Sequence, residues 1–282
     1  MFSSILGHIG HPFYSACAWI LAGFFALVPN FAVAIALLTL VIMTVVFPIT
    51  LRGTRAMLRL QTLSPEIKRL RAKYKVQPEM TAVQQQEVQQ RQRVELTALY
   101  KEHEVSPVGG CLPLILQFPI FVILYGTIRG LVHQVVRHGV PRPDPLYVGH
   151  GTRIFKAIGA AHGQLISFGV NLADSVRTPG LAWGSRVPLL ALVLVAIALQ
   201  YVYMKRMNDR SPAGAVAREP AQWLQKALPL LLAVIYISVP AGVTVYFIVS
   251  SLCRIAQQHA MYGHDPHIRT SVEILRAQSG SG

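Results

Sequence analysis

Residues 109–126, GGCLPLILQFPIFVILYG, are apolar enough to cross a bilayer, yet Gln117 stands near their middle between Pro113 and Pro119. An amide in hydrocarbon is costly unless it has a partner. Proline is tolerated there where neighbours satisfy the freed carbonyls. A later run, 243–261, carries Tyr246, Ser250, Ser251 and, in its second half, Arg254. Thr39 and Thr44 lie in the run 31–51, and Gln200 in 187–204. The chemistry open to this set is hydrogen bonding and Coulomb attraction in a low dielectric. At ~100° per residue, Tyr246 and Arg254 face within ~80° of each other on one helix. A single Ser or Thr in such a run reads as a helix–helix hydrogen bond, worth about 0.6–2 kcal/mol. Arg254 has two readings: a functional intramembrane cation, or a long stem that snorkels to the interface.

The composition places these residues in a membrane. Of 282 residues, 52% are hydrophobic and 13% charged, with a mean hydropathy of +0.44. Soluble domains carry about 25% charged residues. The net charge of +14 fits positive loops and anionic lipid better than nucleic acid. No RNA-binding aromatic signature or zinc finger supports a nucleic-acid specificity. Cys17, Cys111 and Cys253 all sit in apolar surroundings, so they read as small hydrophobic residues. His264 and His267 have no further ligands beside them, and the tail reading outweighs a metal site. The HIGH stretch at 8–11 precedes no βαβ pattern and carries no nucleotide reading. With no GxSxG motif and no cofactor motif, the chain is not expected to be an enzyme or to need a cofactor.

The apolar runs and the charge between them predict an all-α polytopic membrane protein. It has a five-helix transmembrane core, a cytoplasmic helical hairpin and an N-terminal interfacial helix. The interfacial helix is 1–30, short for a span and without an Arg/Lys leader. The spans are 31–51, 107–132, 187–204, 224–239 and 242–262. The fourth has ~16 residues, ~24 Å against a ~30 Å core, and is expected to thin the bilayer locally. Residues 52–106 hold 11 Lys/Arg and 6 Asp/Glu. Met57, Leu60, Leu63, Ile67, Leu70 and Tyr74 recur there at helix spacing. After a break at QPEM (77–80) a second helix carries a weaker stripe of Val83, Val94, Leu96 and Leu99. An extracytoplasmic segment, 133–186, holds small amphipathic elements near IFKAIGAA and GQLISFGVNLA. A loop, 205–223, and a tail, 263–282, complete the chain. The basic density of the hairpin and the 205–223 loop puts them in the cytoplasm, although the outer segment also carries Arg137, Arg142, Arg153, Lys156 and Arg177. The chain then lies in the cell (plasma) membrane as a multi-pass protein, N-terminus out and C-terminus in.

Several segments resemble the YidC/Oxa/Alb membrane protein insertases: LSPEIKRLRAKYK, LTALYKEHEVSPVGGCLPLILQFPIFVILY and PAGVTVYFIVSSLCRIAQQ. The resemblance covers about 11–132 and 186–262, and FGVNLA (168–173) looks like the family's segment before the third span. It implies a hydrophilic groove that opens to the cytoplasm and to lipid and is closed outside. Such a groove inserts nascent membrane-protein clients and helps them fold, by lowering the desolvation barrier for their polar parts. It also implies a groove role for Gln117, since the family keeps a glutamine in this motif. Tyr246, Thr39, Thr44, Gln200, Ser250 and Ser251 are further candidates for client contact. Members commonly place an arginine five residues before a proline in the first span. That proline is Pro48 here, and the position is Met43. Arg52 lies nine residues on, ~180° round and ~13.5 Å along, so it reads as an interfacial cation and Arg254 as the better substitute. Without a charge at Met43, insertion is expected to depend less on client charge, unless Arg254 supplies the field.

Two other functions stay in view. An assembly chaperone or scaffold without independent insertase activity has the same sequence signature. A small-solute transporter is disfavoured because all 12 Asp/Glu fall outside the expected spans and no inverted repeat is evident. Anionic lipid is an expected partner. A contact of the hairpin with a ribosome or the Sec translocon remains open beside plain solvated charge. The tail, with Arg269 and Arg276 against Asp265 and Glu273, is ill suited to ribosome docking.

Overall fold

The computed structural model describes residues 2–75, 79–103, 105, 112–137, 140–210 and 231–264, with 266, 268, 270, 271, 273 and 274. Over 2–10, 112–115 and scattered other positions it describes the backbone alone. The described chain is mostly helical: α1 Phe2–Leu27, α2 Phe31–Thr62, α3 Ser64–Lys73, α4 Ala82–Glu102, α5 Leu112–Leu131, α6 Arg153–Ala160, α7 Trp183–Arg210, α8 at 231–238 and α9 Ala241–His264. Two antiparallel ribbons, β1 Gln134–Arg137 with β2 Val140–Pro143 and β3 Ile166–Ser167 with β4 Val170–Asn171, lie between α5 and α7. The chain divides into two compact units.

The first unit comprises Met1–Val46, Ile115–Tyr203 and Ala227–Ile255. Its core gathers Ile35 and Leu38 of α2, Leu124 and Ile128 of α5, Ile154 and Ile158 of α6, Val193 of α7, and Val243 and Phe247 of α9. Short polar contacts fix how its helices begin and end. Asn30 caps α2 by accepting from Val33 N–H at 3.2 Å, a favoured N-cap residue. Thr152 caps α6 by accepting from Phe155 N–H at 3.3 Å. Arg153 Nη1 donates to Ala26 O at 3.0 Å, which satisfies an orphan carbonyl at the end of α1. The first amides of α9 donate outward, Ala241 N–H to Asp174 O at 2.7 Å and Gly242 N–H to Leu172 O at 2.8 Å. Ser167 Oγ donates to Asn30 Oδ1 at 2.5 Å and accepts from Ala32 N–H at 3.2 Å. The β3–β4 ribbon is thereby tied to the starts of both α2 and α9.

The ribbon departs from the expected all-α architecture. A small amphipathic element is expected near IFKAIGAA and GQLISFGVNLA, and α6 covers the first of these, with Ile154 and Ile158 buried. The second stretch turns back on itself instead. Ile166 pairs with Asn171 and Ser167 with Val170, around Phe168 (φ +50°) and Gly169 (φ +77°). Two positive φ angles in a two-residue loop are the pattern of a type I′ hairpin.

The second unit comprises Phe47–Leu114, Met204–Lys226 and Ala256–Gly282. Here α3 packs against α4. Leu60, Leu63 and Ile67 are buried with Leu96 and Val105, and Leu70, Leu99 and Tyr100 pack around them. Val83 and Val94, expected in the α4 stripe, are exposed. Tyr100 completes the apolar face with Leu96 and Leu99 at helix spacing. The Met57 side chain lies outside the described residues. Thr81 and Gln84 form a capping box at the start of α4, and Pro65 sits in the first turn of α3, where its missing N–H is no loss. Helix α2 continues to Thr62, eleven residues beyond the expected end of the first span. A smaller cluster joins Leu58, Met261 and Ile268 with Phe47, Leu51 and Tyr262.

Glu95 on α4 accepts from Lys73 Nζ at 3.2 Å and from the Tyr74 hydroxyl. The Tyr74 and Lys73 hydrogen bonds hold the Glu95 carboxyl below its ordinary value of 4.5. The Glu95 hydrogen bond holds the Lys73 amine above 10.5. The Glu95 contribution is complete above 4.5 and is lost as pH falls through the lowered value. The Lys73 contribution is complete below 10.5 and is lost as pH rises through the raised one. Amide hydrogen exchange of α3 and α4, corrected for intrinsic rate, is therefore expected to be level across neutral pH and to quicken on acidification. Glu95→Gln should flatten the acid limb; an unchanged limb would remove this pair as its cause.

Candidate functional site

The first unit brings together three of the polar residues singled out in the sequence. Gln117 lies on α5, Tyr246 and Arg254 on α9, in largely apolar segments. Gln117 Nε2 donates to Tyr246 Oη at 2.8 Å, and Arg254 Nη2 donates to Gln117 Oε1. The amide thus uses its donor end toward one residue of α9 and its acceptor end toward another, two helical turns apart. Tyr246 is fully buried; Gln117 and Arg254 are half-buried. The Arg254 guanidinium also stands 5.9 Å from the Tyr203 ring centre on α7, inside cation–π range. Among the described residues the ion pairs join Lys73–Glu95, Arg91–Glu87 and His103–Glu66; none neutralises Arg254. The result is a positive charge held by an amide and an aromatic ring, with no ion-pair partner among the described residues.

Why the sequence folds this way is local. Tyr246 and Arg254 share a face by their eight-residue spacing. Gly242 lets α5 and α2 come close to the start of α9. A Cβ there would stand 3.1 Å from Ile128 Cδ1 and 3.3 Å from Ile35 Cδ1. Phe247 packs between Tyr236 of α8, ring centres 4.9 Å apart, and Phe121 of α5, 5.9 Å apart.

The remaining candidates divide. Ser251 Oγ donates to Gln200 Oε1 at 3.4 Å, a long bond that links α9 to α7 beside Arg254. Thr39 is fully buried and donates to Ile35 O at 2.7 Å. Ser250 is buried and donates to Phe247 O at 3.0 Å. Both hydroxyls are satisfied within their own helices, which is the structural reading. Thr44 does the same with Leu40 O at 2.8 Å but is exposed. Met43 is 4% exposed and belongs to the apolar core of this unit. Arg52, in the second unit, is exposed. Sequence reasoning did not single out Tyr203 or Tyr236. The signal was present in QYVYMKR, where Tyr203 is one of two tyrosines beside Gln200. The fourth expected span lies partly outside the described residues, as do the side chain of Pro113 and all of Cys111. Cys17 and Cys253 are free thiols.

Helices α2, over Phe31–Leu60, and α7, over Trp183–Arg206, are long and apolar enough to cross a membrane, and His11–Leu27 and Leu116–Leu131 are shorter apolar helices. A mostly helical chain with two helices of this kind fits the class of helical membrane proteins. Its sequence matches the 60Kd inner membrane protein family over residues 23–267, and the chain belongs to that family. It is similar to the membrane protein insertase YidC of Syntrophobacter fumaroxidans, 26% identical over 87% of this chain and 37% of that protein. It is also similar to the inner membrane ALBINO3-like protein 2, chloroplastic, of Chlamydomonas reinhardtii, 28% identical over 81% of this chain and 49% of that one. The chain spans about a third to a half of the length of the curated relatives it matches. A crystal structure of an active YidC insertase with its first transmembrane domain resolved has the same fold, with a TM-score of 0.51, 18% identity and coverage of 88% of this chain and 45% of that one.

Proposed function

We propose that this chain is a membrane protein insertase and folding chaperone that acts through a hydrophilic intramembrane groove. The observation that carries this reading is the Gln117–Tyr246–Arg254 cluster: a cation without a carboxylate partner among the described residues, held among largely apolar helices. A transporter that couples to ions needs intramembrane carboxylates, whereas an insertase needs only a place where polar client groups meet dipoles and water. The names of the relatives support the same activity.

In this reading five spans form the core, α3 and α4 are a cytoplasmic hairpin, and α1 is interfacial. The segment between α5 and α7 lies outside, with the N-terminus out and the C-terminus in. The polar outer part of a nascent client enters the groove from the cytoplasm. It exchanges bulk water for Gln117 and Arg254, with Tyr246 buried behind them, instead of for hydrocarbon, which lowers the desolvation barrier. Its apolar part passes sideways into lipid. No nucleotide is consumed. The ties from the β3–β4 ribbon to α2 and α9 support closure on the outer side. Clients and anionic lipid are the partners; contacts of α3 and α4 with a ribosome or the Sec translocon belong to the same reading.

Purified chain reconstituted into liposomes is expected to convert an added single-span client into a protease-protected form. Soluble client kept from aggregating, with no protected fragment, would leave a chaperone and overturn the insertase.

A further inference from the structure

The turn of the β3–β4 ribbon puts the wrong kind of residue in the wrong place for a water-facing hairpin. The first central position of a type I′ turn favours Asn, Asp or Gly. Here it is Phe168 at φ +50°, a residue 78% exposed. Left-handed backbone is unfavourable for a bulky residue and persists where the surroundings hold it. They do so here: Ser167 is hydrogen-bonded to Asn30 and Ala32 on one side, and the carbonyls of Leu172 and Asp174 are fixed by the start of α9 on the other. The ribbon keeps an exposed aromatic in a strained conformation.

Its neighbourhood has the same character. Ile166 is 51% exposed, and Trp183, the first residue of α7, 75%. A cavity of about 260 Å³, lined by Ile166, Val170, Leu181 and Leu189 together with the polar Gln164, Asn171, Asp174 and Ser185, sets the ribbon beside the start of α7. From there an outward apolar face continues down that helix through Val187, Leu190, Leu194 and Val195. Arg186 is half-exposed and stacks over the Trp183 ring, 5.7 Å from its centre; its buried Nε has no acceptor among the described residues. Exposed aromatics and a half-exposed arginine, at the head of an apolar helix, are the composition of a membrane–water boundary.

We propose that Ile166, Phe168 and Trp183 form an anchor seated in the headgroup layer of the outer leaflet, with Arg186 donating to a phospholipid phosphate. The anchor holds the ribbon, and through it the outer ends of α2 and α9, at a fixed depth. It rests on the membrane reading of α7 given above.

Depth-dependent quenching by brominated phospholipids tests it in the full chain, in vesicles of phosphatidylcholine and phosphatidylglycerol. One variant keeps Trp183 alone (Trp19→Phe, Trp223→Phe). A second carries Trp183→Phe as well, with Phe168→Trp as its sole tryptophan. Both are expected to be quenched most by bromines near the headgroup and little by aqueous acrylamide. Arg186→Gln in the first variant should lose much of the shallow quenching. Emission of a water-exposed tryptophan, open to acrylamide and not to bromolipid, would overturn the anchor, as would quenching by neither, which would mean cover by protein. The readout is position, not activity. Vesicles that insert client while Trp183 stays unquenched would sink the anchor and leave the insertase standing.

Discussion

Replacing Arg254 with alanine is expected to reduce client insertion in proteoliposomes by about ten- to a hundredfold. Hydrogen bonds to charged groups contribute about 1.5–3 kcal/mol, and about 1.4 kcal/mol is tenfold in rate. The substitution removes the donor to Gln117 Oε1 and the charge over Tyr203. Gln117 then keeps its bond to Tyr246 but presents a bare carbonyl to the cluster. Arg254→Lys keeps the charge and loses the planar fork that can serve two partners at once, so it should recover part of the activity. The loss should be larger for a client with an acidic tail than for a neutral one, because a fixed cation attracts acidic groups in a low dielectric. Melting in detergent, run in parallel, separates a groove role from a structural one. An Arg254→Ala chain that melts normally and inserts normally would reduce Arg254 to a snorkelling side chain.

Met43 sharpens that expectation. Family resemblance marks it as the place where a charge is missing, and the structure buries it in an apolar core. Sequence alone leaves open whether another residue fills the gap. The eight-residue spacing of Tyr246 and Arg254 made a shared face legible, and apolar surroundings made Gln117 conspicuous. That one glutamine joins both residues of α9 was not legible, because the α5–α9 register depends on packing and not on either sequence run. The hydroxyls of Thr39, Ser250 and Thr44 follow a local rule: in a helix they can bond the carbonyl of the preceding turn, and all three do.

The outer segment was the least legible part of the fold. ISFGVN carries an alternating pattern, Ile166, Phe168, Val170, with Gly169 as its turn signal, yet its apolar content also suits an amphipathic helix. What decides for a ribbon lies far away in sequence. Ser167 finds Asn30, and the backbone at 172 and 174 finds the free amides of α9. The stripe on α3 was legible because three- and four-residue spacing is a local property. On α4 it was blurred, since Val83 and Val94 are apolar but face solvent.

Those same amides place the start of α9, and Gly242→Leu is expected to be the most damaging single change in the first unit. Helix propensity favours the replacement by up to about 1 kcal/mol, so a helix seen in isolation would gain from it. Packing opposes it. The new Cβ would stand 3.1 Å from Ile128 Cδ1, 3.3 Å from Ile35 Cδ1 and 3.4 Å from Leu172 O. The two isoleucine ends can shift by a few tenths of an ångström. Leu172 O cannot readily do so, because it accepts from Gly242 N–H itself at 2.8 Å. Alanine therefore gains about as much from propensity as it loses to crowding, and Gly242→Ala should stay within roughly 1 kcal/mol of the parent. The further carbons of leucine have to displace α9 from α2 and α5, at about 3 kcal/mol or more. That corresponds to a melting temperature lower by about 6–12 °C. Displacing the start of α9 also moves Tyr246, one turn on, away from Gln117, so insertion should fall with stability. Because Ile128 is the nearest obstacle, Gly242→Leu combined with Ile128→Ala should be less damaging than the sum of the two single changes, the leucine filling the space the isoleucine leaves. Strict additivity would place the strain elsewhere, and a Gly242→Leu chain that melts like the parent would show that α9 does not depend on this close approach.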